Sequence, residues 1–122
     1  MQKNESSAIS AKDIVMEYLR AAERRDFQSA SGYLSDNISY MSPFNSFDRA
    51  EPYLKYLEHL NLPKLDIKKE FADSNDVCIL HDYKIGTPPV TSLVSTWFHV
   101  DDDGKISSIR VIVDPRPYVQ QK

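Results

Sequence analysis

The chain has 122 residues, 41% hydrophobic and 27% charged, enough for one domain around one core. Its net charge of -3, with acids and bases interspersed, provides no basic stripe for nucleic acid and no lysine cluster for an anionic membrane. The polar start MQKNESSAIS reads as no secretory leader, and no apolar run approaches the roughly 20 residues that span a bilayer.

Cys78 is the single cysteine, so no internal disulfide forms and a cytoplasmic protein is expected. Residues 1–9 and 119–122 read as tails around a single domain at 10–118. Ser10 is a suitable N-cap, and Asp13 suits the positive end of a helix dipole. Ile14, Val15, Tyr18, Leu19 and Ala22 recur at helical spacing and predict an amphipathic helix that breaks at Arg25-Asp26. Asp26 then caps a second helix, Phe27 to Leu34. Ser35-Asp36-Asn37 reads as a turn, followed by a short strand through Ile38, Tyr40 and Ser42 that Pro43 ends. Phe44 to Phe47 reads as a loop that either gates or plugs an interior. Asp48 with Glu51 resembles a capping box for a third helix. Its stripe is Ala50, Tyr53, Leu54, Leu57 and Leu60, and Asn61 and Pro63 stop it.

From Lys64 the period changes to two. Leu65, Ile67, Lys69 and Phe71 share one face of a half-exposed strand. Strands follow over Val77 to Ile85, Val90 to Val100 and Ile106 to Val113, joined by turns at Gly86–Pro89 and Asp101–Gly104. Short turns imply antiparallel neighbours. The expected fold class is α+β: a curved antiparallel sheet with three helices from the N-terminal half on its concave face.

This order resembles the nuclear-transport-factor-like superfamily, the cone-shaped fold of ketosteroid isomerases, SnoaL-type polyketide cyclases and scytalone dehydratase. The likeness is carried by Ile14 to Ala22, by Asp26-Phe27, by Tyr33 to Ile38, and by the final hairpin Asp102 to Arg110. It covers nearly the whole chain. In ketosteroid isomerases a helix-one tyrosine donates to the developing oxyanion, and Tyr18 stands at that place. The family's base, an aspartate before a proline, is replaced by Ser42 before Pro43. Its second donor is a protonated aspartate eight residues before the hairpin glycine, and counting back from Gly104 reaches Thr96. Both acids are gone. Because that chemistry depends on a carboxylate base and a neutral carboxylic acid, steroid-type isomerisation by that mechanism is excluded.

A hairpin centred on Gly86–Pro89 pairs Ile79 with Thr96 and His81 with Val94. Alternation then turns Val77, Ile79, His81, Tyr83, Val94, Thr96 and Phe98 inward, with Ile109, Val111 and Val113 from the last strand. The expected lining is apolar, with polar groups from Tyr18, Tyr40, Ser42, His81, Tyr83 and Thr96. Such a lining suits a small apolar or polycyclic ligand bearing one or two oxygens, with Phe98 and Val111 among its contacts. His81 is the inward residue expected to titrate near neutral pH, and it can pair with Tyr18 or Tyr40 as acid and base. It can equally be a structural histidine satisfied by a hydroxyl or a carbonyl. No metal or cofactor pattern stands out: His59, His81 and His99 lack ligand spacing, and the Asp101–Asp103 run lacks the distal acid of a calcium loop.

Cys78, Leu80, Leu93, Trp97 and Ile112 should project from the outer sheet face, which predicts a homodimer through that face. Two functions are therefore expected in competition. One is a ligand-binding SnoaL-like protein, with isomerase, cyclase or dehydratase chemistry open to it. The other is a non-catalytic dimeric binding or adaptor module whose cone is filled.

Overall fold

The computed structural model describes residues 10–60, 65–85, 88, 90–114 and 116. Helix α1 (Ala11–Glu23) is capped by Ser10, whose Oγ accepts from the Asp13 amide at 3.1 Å. It buries Ile14, Val15, Tyr18 and Ala21. The break comes at Arg25, which adopts φ 60°, a left-handed conformation unusual for a residue with a Cβ. Two hydrogen bonds hold it there, from its guanidinium to the carbonyls of Leu60 (3.1 Å) and Glu58 (2.6 Å). The same guanidinium lies 5.1 Å from the ring centroid of Phe27. Asp26 caps α2 (Phe27–Ser31).

Four local expectations differ from what is seen. Helix α2 stops at Ser31, and Leu34 already belongs to strand β1 (Leu34–Met41). The expected turn Ser35-Asp36-Asn37 lies inside that strand, where the pairing shifts register between Leu34 and Ser39. The loop from Phe44 contributes a two-residue strand, β2 (Ser46–Phe47), against β1. Helix α3 (Ala50–His59) starts one residue later than a cap at Asp48 would set. Arg49 precedes it without a side-chain cap, and Pro52 is its third residue, where no N–H exists for a cap to receive. The expected stop at Asn61 and Pro63 lies outside the described residues.

The remaining strands are β3 (Asp66–Asp73), β4 (Asp76–Ile85), β5 (Val90–Val100) and β6 (Ile106–Ile112). The sheet runs β2-β1-β6-β5-β4-β3. It is curved and open, and one pair departs from the antiparallel expectation: β1 runs parallel to β6. Adjacent strands must be antiparallel when a short turn joins them, but β1 and β6 are far apart in sequence. Strand β3 carries a bulge between Ile67 and Lys69. A bulge reverses alternation beyond it, so Glu70 pairs with inward Ile79, while Phe71 pairs with outward Cys78. Phe71 therefore leaves the face it was expected to share with Ile67. Helix α1 packs on β4 and β5, and α3 on β1. No helix among the described residues is long and apolar enough to cross a membrane.

Candidate functional site

The β4–β5 ladder has the register read from the hairpin: Ile79 opposite Thr96 and His81 opposite Val94. Beside it, β5 and β6 place Thr96 opposite Val111 and Phe98 opposite Ile109. This inner face and the inward sides of α1 and α3 enclose a cavity of about 700 Å³. Small-molecule sites commonly measure roughly 300–1,000 Å³. Tyr18, Tyr40, Ser42, His81, Tyr83, Thr96, Phe98 and Val111, the residues singled out in the sequence, all lie on its lining. The charged members among the described lining residues, Glu23 and Arg24, are both exposed.

Two hydrogen-bonded pairs supply most of the polarity. Tyr18 on α1 meets Tyr53 on α3, hydroxyl to hydroxyl, at 2.7 Å. Burial raises the pKa of both well above the ordinary phenol value. Either hydroxyl can donate in this bond, and the one that does not has its own proton to offer to a neighbour. Tyr40 stacks on Tyr53 with centroids 4.6 Å apart, and burial pushes its pKa up to about 12. All three phenols therefore stay protonated at neutral pH.

His81 Nε2 lies 3.0 Å from Thr96 Oγ1, and both residues are almost fully buried. Burial lowers the His81 pKa, against a smaller opposing effect of the Asp82 carbonyl 3.4 Å from Nδ1. The imidazole is neutral at physiological pH. The Tyr83 ring stands edge-on to it, centroids 6.4 Å apart.

The loop after β1 divides between the core and the cavity lining. Phe47 packs among Tyr40, Tyr53 and Tyr56 and closes the interior there. Phe44 stands on the cavity lining and is 43% exposed, at the mouth. Ser42 organises the segment, since its Oγ accepts from the Phe44 amide at 3.1 Å and the Asn45 amide at 3.3 Å.

Sequence reasoning placed Tyr53 only on a buried stripe. A tyrosine at a core-facing helix position needs a partner for its hydroxyl, and that need was the available signal. Leu60 and Leu65 at the rim were missed as well. Their placement depends on long-range contacts, such as the Leu65 amide donating to Glu23 Oε2 at 3.1 Å.

No protein-family model and no curated protein matches the chain. Solved structures do. An NTF2-like protein of unknown function from Cytophaga hutchinsonii is 28% identical, with a TM-score of 0.82 over 98% of this chain and 100% of the other. An LEH-like epoxide hydrolase from M. tuberculosis is 24% identical, with a TM-score of 0.73 over 85% and 82% of the two chains. A protein from Shewanella denitrificans named as a SnoaL-like polyketide cyclase is 13% identical, with a TM-score of 0.75 over 91% and 95%. The last two likenesses are of fold.

Proposed function

Because the chain has the fold shared by NTF2-like and SnoaL-like proteins, we propose that it is a small-molecule-binding protein whose ligand is neutral, largely apolar and oxygenated. The carrying observation is the cavity of about 700 Å³ whose buried polar groups are uncharged phenols, hydroxyls and a neutral imidazole. A buried charge on the ligand would find no counter-ion among them and would have to shed its hydration. In this reading Tyr53 donates within the pair while Tyr18 offers its proton to a ligand carbonyl, and Tyr53 stabilises any negative charge that spreads onto Tyr18. His81 supplies a neutral base on the opposite wall. Proton-transfer chemistry of the isomerase, cyclase or dehydratase kind is open to this lining, by a route that uses no carboxylate. The size of the cavity counts against a filled-cone adaptor.

The test is titration with prodan, a neutral naphthyl ketone whose emission shifts to the blue in apolar surroundings. Saturable binding is expected. Tyr18→Phe should weaken it about tenfold, the weight of one hydrogen bond. Ala22→Trp, which fills the cavity from α1, should abolish it. Equal affinity of all three proteins would sink the reading.

We also propose a homodimer through the outer sheet face. Leu93, Trp97 and Ile112 stand about half exposed there, joined by Phe71. Cys78 lies on the same face, its thiol 3.2 Å from Ser95 Oγ, and a reducing cytoplasm suits it.

A further inference from the structure

We propose that Thr96 and His81 form a nucleophile–base pair, and that the ligand is a neutral carboxylic ester whose acyl group Thr96 accepts. This rests on the cavity reading above and names its substrate class.

His81 Nδ1 faces the Asp82 carbonyl, which can only accept, so the ring proton belongs on Nδ1. Nε2 then presents its lone pair to Thr96, and the Thr96 O–H donates to it across 3.0 Å. That direction is the one hydroxyl activation needs: a base on the nucleophile's proton and a third group orienting the base. Both residues line the cavity, so the activated oxygen borders the space a ligand would fill. Phe98, the next inward residue of β5 after Thr96, carries the Tyr18 ring against its edge at 6.3 Å. Tyr18 therefore stands one inward position along from the nucleophile, on the same lining, where its hydroxyl can donate to an oxyanion when Tyr53 donates to it.

In the first step Thr96 Oγ1 bonds to the ester carbonyl carbon while its proton passes to His81 Nε2. The carbonyl oxygen becomes an oxyanion that Tyr18 O–H holds. The bond from carbon to the alcohol oxygen then breaks, and His81 returns its proton to the departing alkoxide. This leaves an acyl ester on Thr96. Water attacks that ester, giving a proton to His81, and the carbon–Oγ1 bond breaks as Thr96 takes the proton back. Ester and water become acid and alcohol. A purely structural hydrogen bond between the two residues would serve as well with the cavity filled.

The experiment uses the full chain with p-nitrophenyl acetate and p-nitrophenyl butyrate at mildly alkaline pH. Nitrophenol release is followed, then acid quench, intact mass and peptide mapping. A burst and a single acyl group on Thr96 are expected. Thr96→Val, close in shape, and His81→Gln should lose the adduct and slow turnover about 100-fold or more, while Thr96→Ser keeps both. Thermal melts confirm that each variant is folded. Acylation of His81, a tyrosine or a lysine with Thr96 unmodified overturns the proposal, as does a Thr96→Val protein hydrolysing at the wild-type rate. A wild-type protein that binds prodan but turns over neither ester also overturns it, while one that binds no prodan overturns the cavity reading itself.

Discussion

Tyr18 and Tyr53 join α1 to α3 through a single buried hydrogen bond of 2.7 Å between residues 35 positions apart. Removing either hydroxyl leaves the other buried without that partner. Tyr18→Phe and Tyr53→Phe should each cost about 1–3 kcal/mol. The double substitution removes both partners at once and should cost less than the sum of the singles. Urea unfolding of the four proteins measures this, and strict additivity would mean the bond contributes nothing specific.

His81 ties stability to pH. Burial lowers its pKa in the folded protein below the unfolded value of about 6.5. In the window between the two values the unfolded chain binds more protons, so stability rises with pH there. It is complete above the unfolded pKa and is lost as pH falls through the folded one. The difference in urea midpoint between wild type and His81→Gln should shrink as the buffer is taken from neutral into the acid range. A difference independent of pH would show that His81 does not titrate on unfolding. The lowered pKa values of Asp26, Asp76 and Asp114 act at lower pH and cancel in the comparison.

Arg25 combines an unfavourable backbone with favourable contacts. Its guanidinium satisfies the Glu58 and Leu60 carbonyls at the end of α3, yet its φ is 60°. Arg25→Ala loses the contacts and keeps the strain, so a loss of about 1–3 kcal/mol is expected. Arg25→Gly loses the same contacts and relieves the strain, so it should be the milder change by about 1 kcal/mol. Melting temperatures ranked the other way would refute this account of the break.

The outer face tests the dimer. Trp97 Nε1 donates to Asp76 Oδ1 at 2.8 Å, which fixes the indole on the face that also exposes Leu93 and Ile112. Leu93→Glu placed at such a surface should convert a dimer to a monomer without loss of fold. Light scattering after size-exclusion chromatography reads the mass directly, and a wild-type monomer at micromolar concentration would end the proposal.

The sheet was the legible part of the sequence. A two-residue period and a turn rich in glycine and proline determine which strand positions face each other, so His81, Thr96 and Val111 could be placed on one wall. The irregular positions were not legible. The bulge after Ile67 sends Phe71 outward, and no residue type there announces it. Likewise the Tyr18–Tyr53 bond requires knowing how two helices cross, which neither helix encodes alone. Candidate residues on strands were thus found by counting. Partners brought in by helix packing were not.

The parallel pairing of β1 with β6 also governs the order of assembly. Arg110 on β6 donates to the Ser39 carbonyl on β1 across 71 positions, at 2.9 Å. Until the last strand is synthesised, β1 has only the two residues of β2 beside it among the described strands. The N-terminal third of the chain cannot complete its sheet as it leaves the ribosome. It has to wait, with one edge of β1 unpaired, for nearly the whole chain. Folding should accordingly be late and slow for a protein of this length. A chain cut short before Ile106 would lack not one edge but the strand joining the two halves of the sheet.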